Sequence, residues 1–169
     1  QLKRGKKPAE EILTEAFSEI KSESQRASDI VEFVRNIGRK EPRERKCFDL
    51  EAAVSRTIRL MKRLGRLNSK CTLSGAKNVL VFADPLNVDL VLMNLLKNAE
   101  EAVRNQSNAE IKVEIKNAGA DALVIIDDNG PKMSDEQFAS LRNLGQSSKK
   151  DGLGLGLAIV RELLEANGG

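Results

Sequence analysis

The sequence predicts an α+β fold, a two-layer sandwich with helices on one face of a sheet, preceded by one long helix. Three observations predict it. Apolar or small residues recur at seven-residue steps in the first forty positions. Residues 110–127 read as a hairpin, one alternating segment and one apolar segment around a glycine turn. Segments of helical period flank that hairpin on both sides.

Residues 8 to about 40 read as a single helix. Pro8 suits a first helical turn, and Ala9, Glu10 and Glu11 place acids near the positive end of the dipole. Two interleaved series, Ile20, Ala27, Val34 and Ala16, Ile30, Ile37, are offset as the a and d positions of a packing seam. Gly38 and Pro42 end the helix, and Arg39–Lys46 is a charged linker. The boundary therefore falls near residue 47, with 1–46 as helix and linker and 47–169 as a compact domain.

In that domain, Leu50, Val54, Ile58, Met61 and Leu64 stand at helical spacing over 50–64. A weak strand is expected at 70–74, and residues 78–83 read as a buried strand. Asp84 and Pro85 then supply an N-cap and a first-turn residue for a helix reaching about Val103. Over 110–116, Ile111, Val113 and Ile115 alternate with Lys112, Glu114 and Lys116, as in a half-buried strand. A turn containing Gly119 leads to an apolar strand at 122–127. A short helix at 135–142, a Gly, Ser and Lys-rich loop at 145–156 and a last helix at about 155–166 complete the chain.

Composition narrows the function. Hydrophobic residues make up 40% of the chain but aromatics only 3%, so base stacking on aromatic platforms has little to work with. Residues 1–70 carry 18 Lys/Arg against 11 Asp/Glu, and residues 71–169 carry 10 against 14. A basic front can serve nucleic acid or an anionic membrane, but here bases alternate with acids, as on a solvated helix face; no nucleic-acid partner is expected. Cys47 and Cys71 lack metal-ligand spacing and there is no histidine, which argues against a zinc site. Both thiols are expected to be reduced in a cytoplasmic protein. No apolar run approaches the ~20 residues of a membrane span, and no signal peptide is evident. The sequence starts with Gln rather than Met, so it is expected to be a piece of a longer protein that can itself be membrane-anchored.

Three clusters carry chemistry. Asn94 and Asn98 stand four apart, so their amides project from one face of an otherwise apolar helix. Such amides need partners. They are either satisfied within the protein or offer oxygen to a hard cation such as Mg²⁺, which takes few protein ligands. Asp127-Asp128-Asn129-Gly130-Pro131-Lys132 follows a strand. Taken alone it reads first as a turn, and second as a carboxylate able to accept from an exocyclic amino group such as that of adenine. Gly152, Gly154 and Gly156 alternate with Leu153, Leu155 and Leu157 ahead of a helix, exposing backbone N–H groups where a helix N-terminus attracts anions. Ser147, Ser148, Lys149 and Lys150 precede them within reach of phosphate. The spacing is neither the dinucleotide fingerprint nor a P-loop.

In this order, over about residues 48–169, the motifs resemble the catalytic domain of sensor histidine kinases, of the superfamily shared with gyrase, heat-shock chaperone ATPases and mismatch-repair ATPases. Asn94-Leu-Leu-Lys-Asn98-Ala resembles that family's N box, Asp128-Asn-Gly130 its first glycine box, and Gly152-Leu-Gly154-Leu-Gly156-Leu157 its second. Ser147-Ser148-Lys149 is similar to the Thr-Thr-Lys that often precedes the latter, and residues 26–31 resemble the second helix of the dimerisation domain. The resemblance implies a two-layer α/β sandwich of the Bergerat (histidine kinase ATPase) type and the binding of ATP with Mg²⁺. It implies that Asn98 holds Mg²⁺ with Asn94 nearby, and that Asp128 takes the adenine amino group with Gly130 allowing close approach. It further implies that Gly152, Gly154, Gly156 and Leu157 shape the lid over the phosphates, helped by Ser148 and Lys149. The implied partners are a response-regulator receiver domain and a second copy of the chain, met through the N-terminal helix.

Three departures stand beside the resemblance. Lys132 occupies the place of a second glycine two after Gly130, the family's further strand pair would lie past Gly169, and the acceptor histidine would lie before residue 1. An ATP hydrolase of the same superfamily is the enzymatic alternative, but such enzymes carry a water-activating Glu where this chain has Asn94, and an amide is no general base. A nucleotide-impaired scaffold is the alternative from another class, and Lys132 is its best support.

Overall fold

A computed structural model describes residues 10–11, 13–14, 16–18, 20, 24, 44–132, 134 and 155–168. The described residues between 10 and 24 are helical, with Leu13, Phe17 and Ile20 exposed. The rest of the expected 8–40 helix, the helix at 135–142 and most of the 145–156 loop lie outside the described residues.

Strand β1 (Lys46–Asp49) leads into helix α1 (Leu50–Arg63). Asp49 ends the one and starts the other: its Oδ1 accepts from the Ala52 N–H at 2.8 Å, which satisfies an otherwise orphaned helix donor. Leu50, Val54, Ile58 and Met61 form the buried stripe of α1. The helix closes in a Schellman arrangement, with Gly65 N–H donating to Lys62 O and Arg66 N–H to Met61 O. Gly65 sits at φ +65°, where a side chain is strained. This reversal drops Leu67 back into the core at 2% exposure.

Strands β2 (Lys70–Gly75) and β3 (Leu80–Ala83) precede helix α2 (Pro85–Val103), which Asp84 caps by accepting from Leu86 N–H at 2.9 Å. Strands β4 (Glu110–Ala118) and β5 (Asp121–Asp128) form the expected hairpin, and helix α3 (Leu155–Glu165) follows. The sheet order is β2-β4-β5, with β2 parallel to β4 and β4 antiparallel to β5; β1 and β3 make a separate antiparallel ribbon.

The alternation over 110–116 is realised as Ile111, Val113 and Ile115, all buried, facing Leu92, Leu96, Ala99 and Val103 of α2 and the stripe of α1. Helices therefore lie against one face of the sheet, an α+β two-layer sandwich. A smaller cluster joins Leu90 and Val91 of α2 to Ile159, Val160 and Leu163 of α3. Asp89 clamps the two long helices, accepting from Arg56 at 2.9 Å and from the Thr57 hydroxyl at 2.9 Å.

Two expectations change. The apolar run 78–83 is not a buried strand: only Leu80–Ala83 is extended, and Leu80 and Phe82 are each 67% exposed. Its sole strand partner among the described residues is β1, so its other edge is unpaired there, and the face that carries Leu80 and Phe82 is exposed. Lys46, placed in the linker by sequence, belongs to that partner strand, which is too short to announce itself by pattern.

Candidate functional site

Helix α2 brings together the residues singled out by sequence, and it does so along one line. Asn94, Asn98 and Ala102 stand four apart and share a face. At about 1.5 Å per residue they span roughly 12 Å of helix. Each end of the line is pressed by another element.

At the first end, α3 begins. A Cβ added at Gly156 would lie 3.3 Å from Asn94 Oδ1, so the bare backbone of the first turn of α3 meets the amide directly. Asn94 turns its Nδ2 inward, donating to Leu90 O at 2.9 Å. That assignment follows from the hydrogen-bond pattern and leaves the oxygen facing α3. The positive end of the α3 dipole lies beside it.

At the other end, β5 runs out. Gly130 packs so tightly under α2 that a Cβ there would come within 3.0 Å of the Ala102 Cβ and 2.6 Å of Asp128 Oδ1. Gly130 N–H donates to Asp128 Oδ1 at 2.9 Å, which orients the carboxylate and leaves Oδ2 as the outer acceptor. Asn98 lies between the two ends, half-buried. Among the described residues its amide makes no hydrogen bond, although the helix around it is apolar.

These donors suit a hard cation. Two amide oxygens on one helix face suit Mg²⁺, which keeps most of its coordination for water and phosphate. Among the described residues there is no group of three His, Cys, Asp or Glu able to hold a metal. Leu157 lies half-buried in the first turn of α3, and Lys132 is exposed. Ser148, Lys149, Gly152 and Gly154 lie outside the described residues.

Sequence reading passed over three residues that support the site. Asn129 pins the end of β5, its Oδ1 accepting from Glu110 N–H and its Nδ2 donating to Asn108 O, each at 2.9 Å. It stood inside the Asp-Asp-Asn-Gly turn, where an amide among acids is a signal of backbone bonding. Glu100, 7% exposed, turns away from the Asn98 side and accepts from the backbone of Asn68 and Ser69 at 3.1 and 3.2 Å, fixing the approach to β2. Asn167 joins the two helices of the smaller cluster, through contacts no sequence pattern announces.

Titration is perturbed at the margins. The Lys70 ammonium, hydrogen-bonded to Glu110 at 2.8 Å, holds that carboxyl below its usual range, with Lys112 adding to the effect. Burial pushes the Cys71 thiol up, opposed by Lys62 and reinforced by Glu100.

Comparison with known proteins adds a second line. Residues 83–169 match the family described as histidine kinase-, DNA gyrase B-, and HSP90-like ATPase. The chain is 30% identical over 161 residues to the sensor histidine kinase TmoS of Ectopseudomonas mendocina, a match covering 92% of this chain and 16% of TmoS. It is 29% identical over 149 residues to sporulation kinase B of Bacillus subtilis, covering 88% and 35%. The chain thus spans little more than a third, at most, of these two relatives. Among solved structures, the catalytic domain of histidine kinase ThkA aligns with a TM-score of 0.64 at 25% identity, over 74% of this chain and 82% of that one. ThkA in complex with the response regulator protein TrrA aligns with a TM-score of 0.69 at 21% identity, over 99% and 48%, a likeness of fold. Among the described residues no helix is long and apolar enough to cross a membrane.

Proposed function

We propose, from the premise that this chain belongs to the family of histidine kinase-, DNA gyrase B- and HSP90-like ATPases, that it is the ATP-binding catalytic region of a two-component sensor histidine kinase. The single observation that carries the reading is the line on α2: Asn94 against the start of α3, Ala102 against Gly130, and Asn98 between them without a protein partner among the described residues.

The line has polarity. At the Gly130 end Asp128, oriented by the Gly130 N–H, offers an acceptor to the amino group of adenine. The absence of a side chain at Gly130 lets the end of β5 pack directly under Ala102, which holds the Asp128 carboxylate beside α2. At the Gly156 end, the N-terminus of α3 attracts phosphate, and Gly156 lets that end lie close against Asn94. Asn98 and the α3-facing oxygen of Asn94 would hold Mg²⁺, which neutralises phosphate charge when bound. Lys149, Ser148, Gly152 and Gly154 belong to the same phosphate end by the family resemblance, and Leu157 backs it from within α3.

The reaction is in-line transfer: the bond between the γ-phosphorus and its bridging oxygen breaks while a bond to an imidazole nitrogen forms, and ADP leaves. The chain holds no histidine, so the acceptor belongs to another segment, the dimerisation helix. This chain's residues contribute orientation and charge complementarity rather than proton transfer. Asn94 has no basic atom with which to activate water, which favours transfer over hydrolysis. The phosphoryl group would then pass to an aspartate of a receiver domain, in a cytoplasmic homodimer formed through the N-terminal helix. Lys132 favours one other reading, a nucleotide-impaired scaffold, since it stands where the family has glycine.

Calorimetric titration with ATP and ADP, each with and without Mg²⁺, tests the proposal. Saturable binding that tightens with Mg²⁺ is expected, as is a loss on the order of 10- to 100-fold in Mg·ATP affinity in Asn98→Ala, the scale of losing a group that supports a metal site. Absence of nucleotide binding would put the scaffold reading first, and Asn98→Ala binding like the parent would remove Asn98 from the site.

A further inference from the structure

Helix α3 touches α2 at both of its ends, and the far end is held by a residue that the nucleotide site does not contain. The two helices run antiparallel: the start of α3 meets Asn94, and residues just past its end meet Asp84, the cap of α2. Asn167 makes that second meeting. Its Oδ1 accepts from the Asp84 N–H at 2.9 Å, and its Nδ2 donates to Leu163 O at 2.7 Å. The backbone explains why the side chain is needed there. Asn167 N–H turns to Leu164 O as the helix tightens, so Leu163 O loses its usual donor four residues on and takes the side-chain amide instead. Arg45, just ahead of β1, adds a bond to Ala166 O.

Between these ends, among the described residues, lie apolar contacts of Ile159, Val160 and Leu163 against Leu90, Val91 and Leu95. Apolar packing is non-directional and tolerates sliding better than hydrogen bonds do. Each residue of slip would carry Gly156 about 1.5 Å along Asn94.

We propose that Asn167 is a positioning residue for the phosphate end of the nucleotide site: by bonding the Asp84 N–H it sets the register of α3 on α2 and so the meeting of Gly156 with Asn94. The proposal rests on the reading of this site as a Mg·ATP site.

Two variants separate the bonds. Asn167→Ser keeps a hydroxyl that can donate to Leu163 O four residues back but cannot reach Asp84 N–H. Asn167→Asp keeps the acceptor for Asp84 N–H and loses the donor to its own helix. In the full chain, Asn167→Ser is expected to weaken Mg·ATP on the order of tenfold, the effect of a small misplacement, while adenosine, which uses only the Asp128 end, binds as before. Asn167→Asp is expected to keep the parent ratio of the two affinities. In ligand-free protein the Asn94 side-chain amide resonance should move in the Ser variant and stay in the Asp variant. Equal losses for ATP and adenosine, or an unmoved Asn94 resonance in Asn167→Ser, would overturn the proposal. A parent protein that binds neither ligand would overturn the nucleotide reading instead, and the Asn94 resonance would still decide the register.

Discussion

The two sides of α2 differ in kind. One side, Leu92, Leu96, Ala99 and Val103, sinks into a core shared with α1 and the β2-β4-β5 sheet, where Leu96, Val103, Ile111 and Val113 are wholly buried. The other side, among the described residues, meets α3 through Leu90 and Val91, and the α3 residues that cover them keep 5–9% exposure. The first side is locked by strands, helix caps and the Asp89 clamp. The second depends on a short apolar strip, a close approach of Gly156 to Asn94 and hydrogen bonds past the far end of α3. The sheet side holds Asn94, Asn98 and Asp128 in place, while the α3 side, with fewer restraints among the described residues, is expected to yield first. Elements that cover ligands are drawn from the less stable end of a fold.

The contrast can be broken from either side. Leu96→Ala opens a cavity in the tight core, and a loss of about 3 kcal/mol in global stability is expected by denaturant titration. A loss below about 1 kcal/mol would mean that the core collapses onto the gap. Ile159→Ala is expected to cost less, about 2 kcal/mol, because α3 can settle. The loss should show as faster amide exchange in α3, with α2 and β4 protected as in the parent. Uniform acceleration across both would erase the distinction between the two sides. The smallest effect is electrostatic and lies on the sheet side. Glu110 titrates below its usual range because of Lys70, so its contribution is present above the ordinary carboxylate pKa and is lost as pH falls through the lowered value. Lys70→Ala should therefore flatten the acid limb of the stability profile, and an unchanged limb would assign the shift to other charges.

Much of this was legible before the fold. The alternation at 110–116 marked its own buried face, because a strand with one solvated side must alternate. Asp84-Pro85 marked the start of α2, and Asn94 with Asn98 stood out as amides in an apolar helix. The ribbon of β1 and β3 was misread for a matching reason: Val-Leu-Val-Phe has the composition of a buried strand, and nothing local says that only one short partner will pair with it.

What the sequence determined by itself is therefore whatever a single segment can encode: period, caps, turns, and the spacing of Asn94 and Asn98 on one helix face. The tertiary structure alone decided which segments meet. It put β2 parallel to β4, set Gly130 beneath Ala102, and set Gly156 against Asn94. It also gave Asn167 a bond to Asp84, 83 residues away in the chain. Such contacts depend on how two whole faces fit, a property of packed volume and of the last unpaired backbone groups at helix ends, and no local pattern carries it.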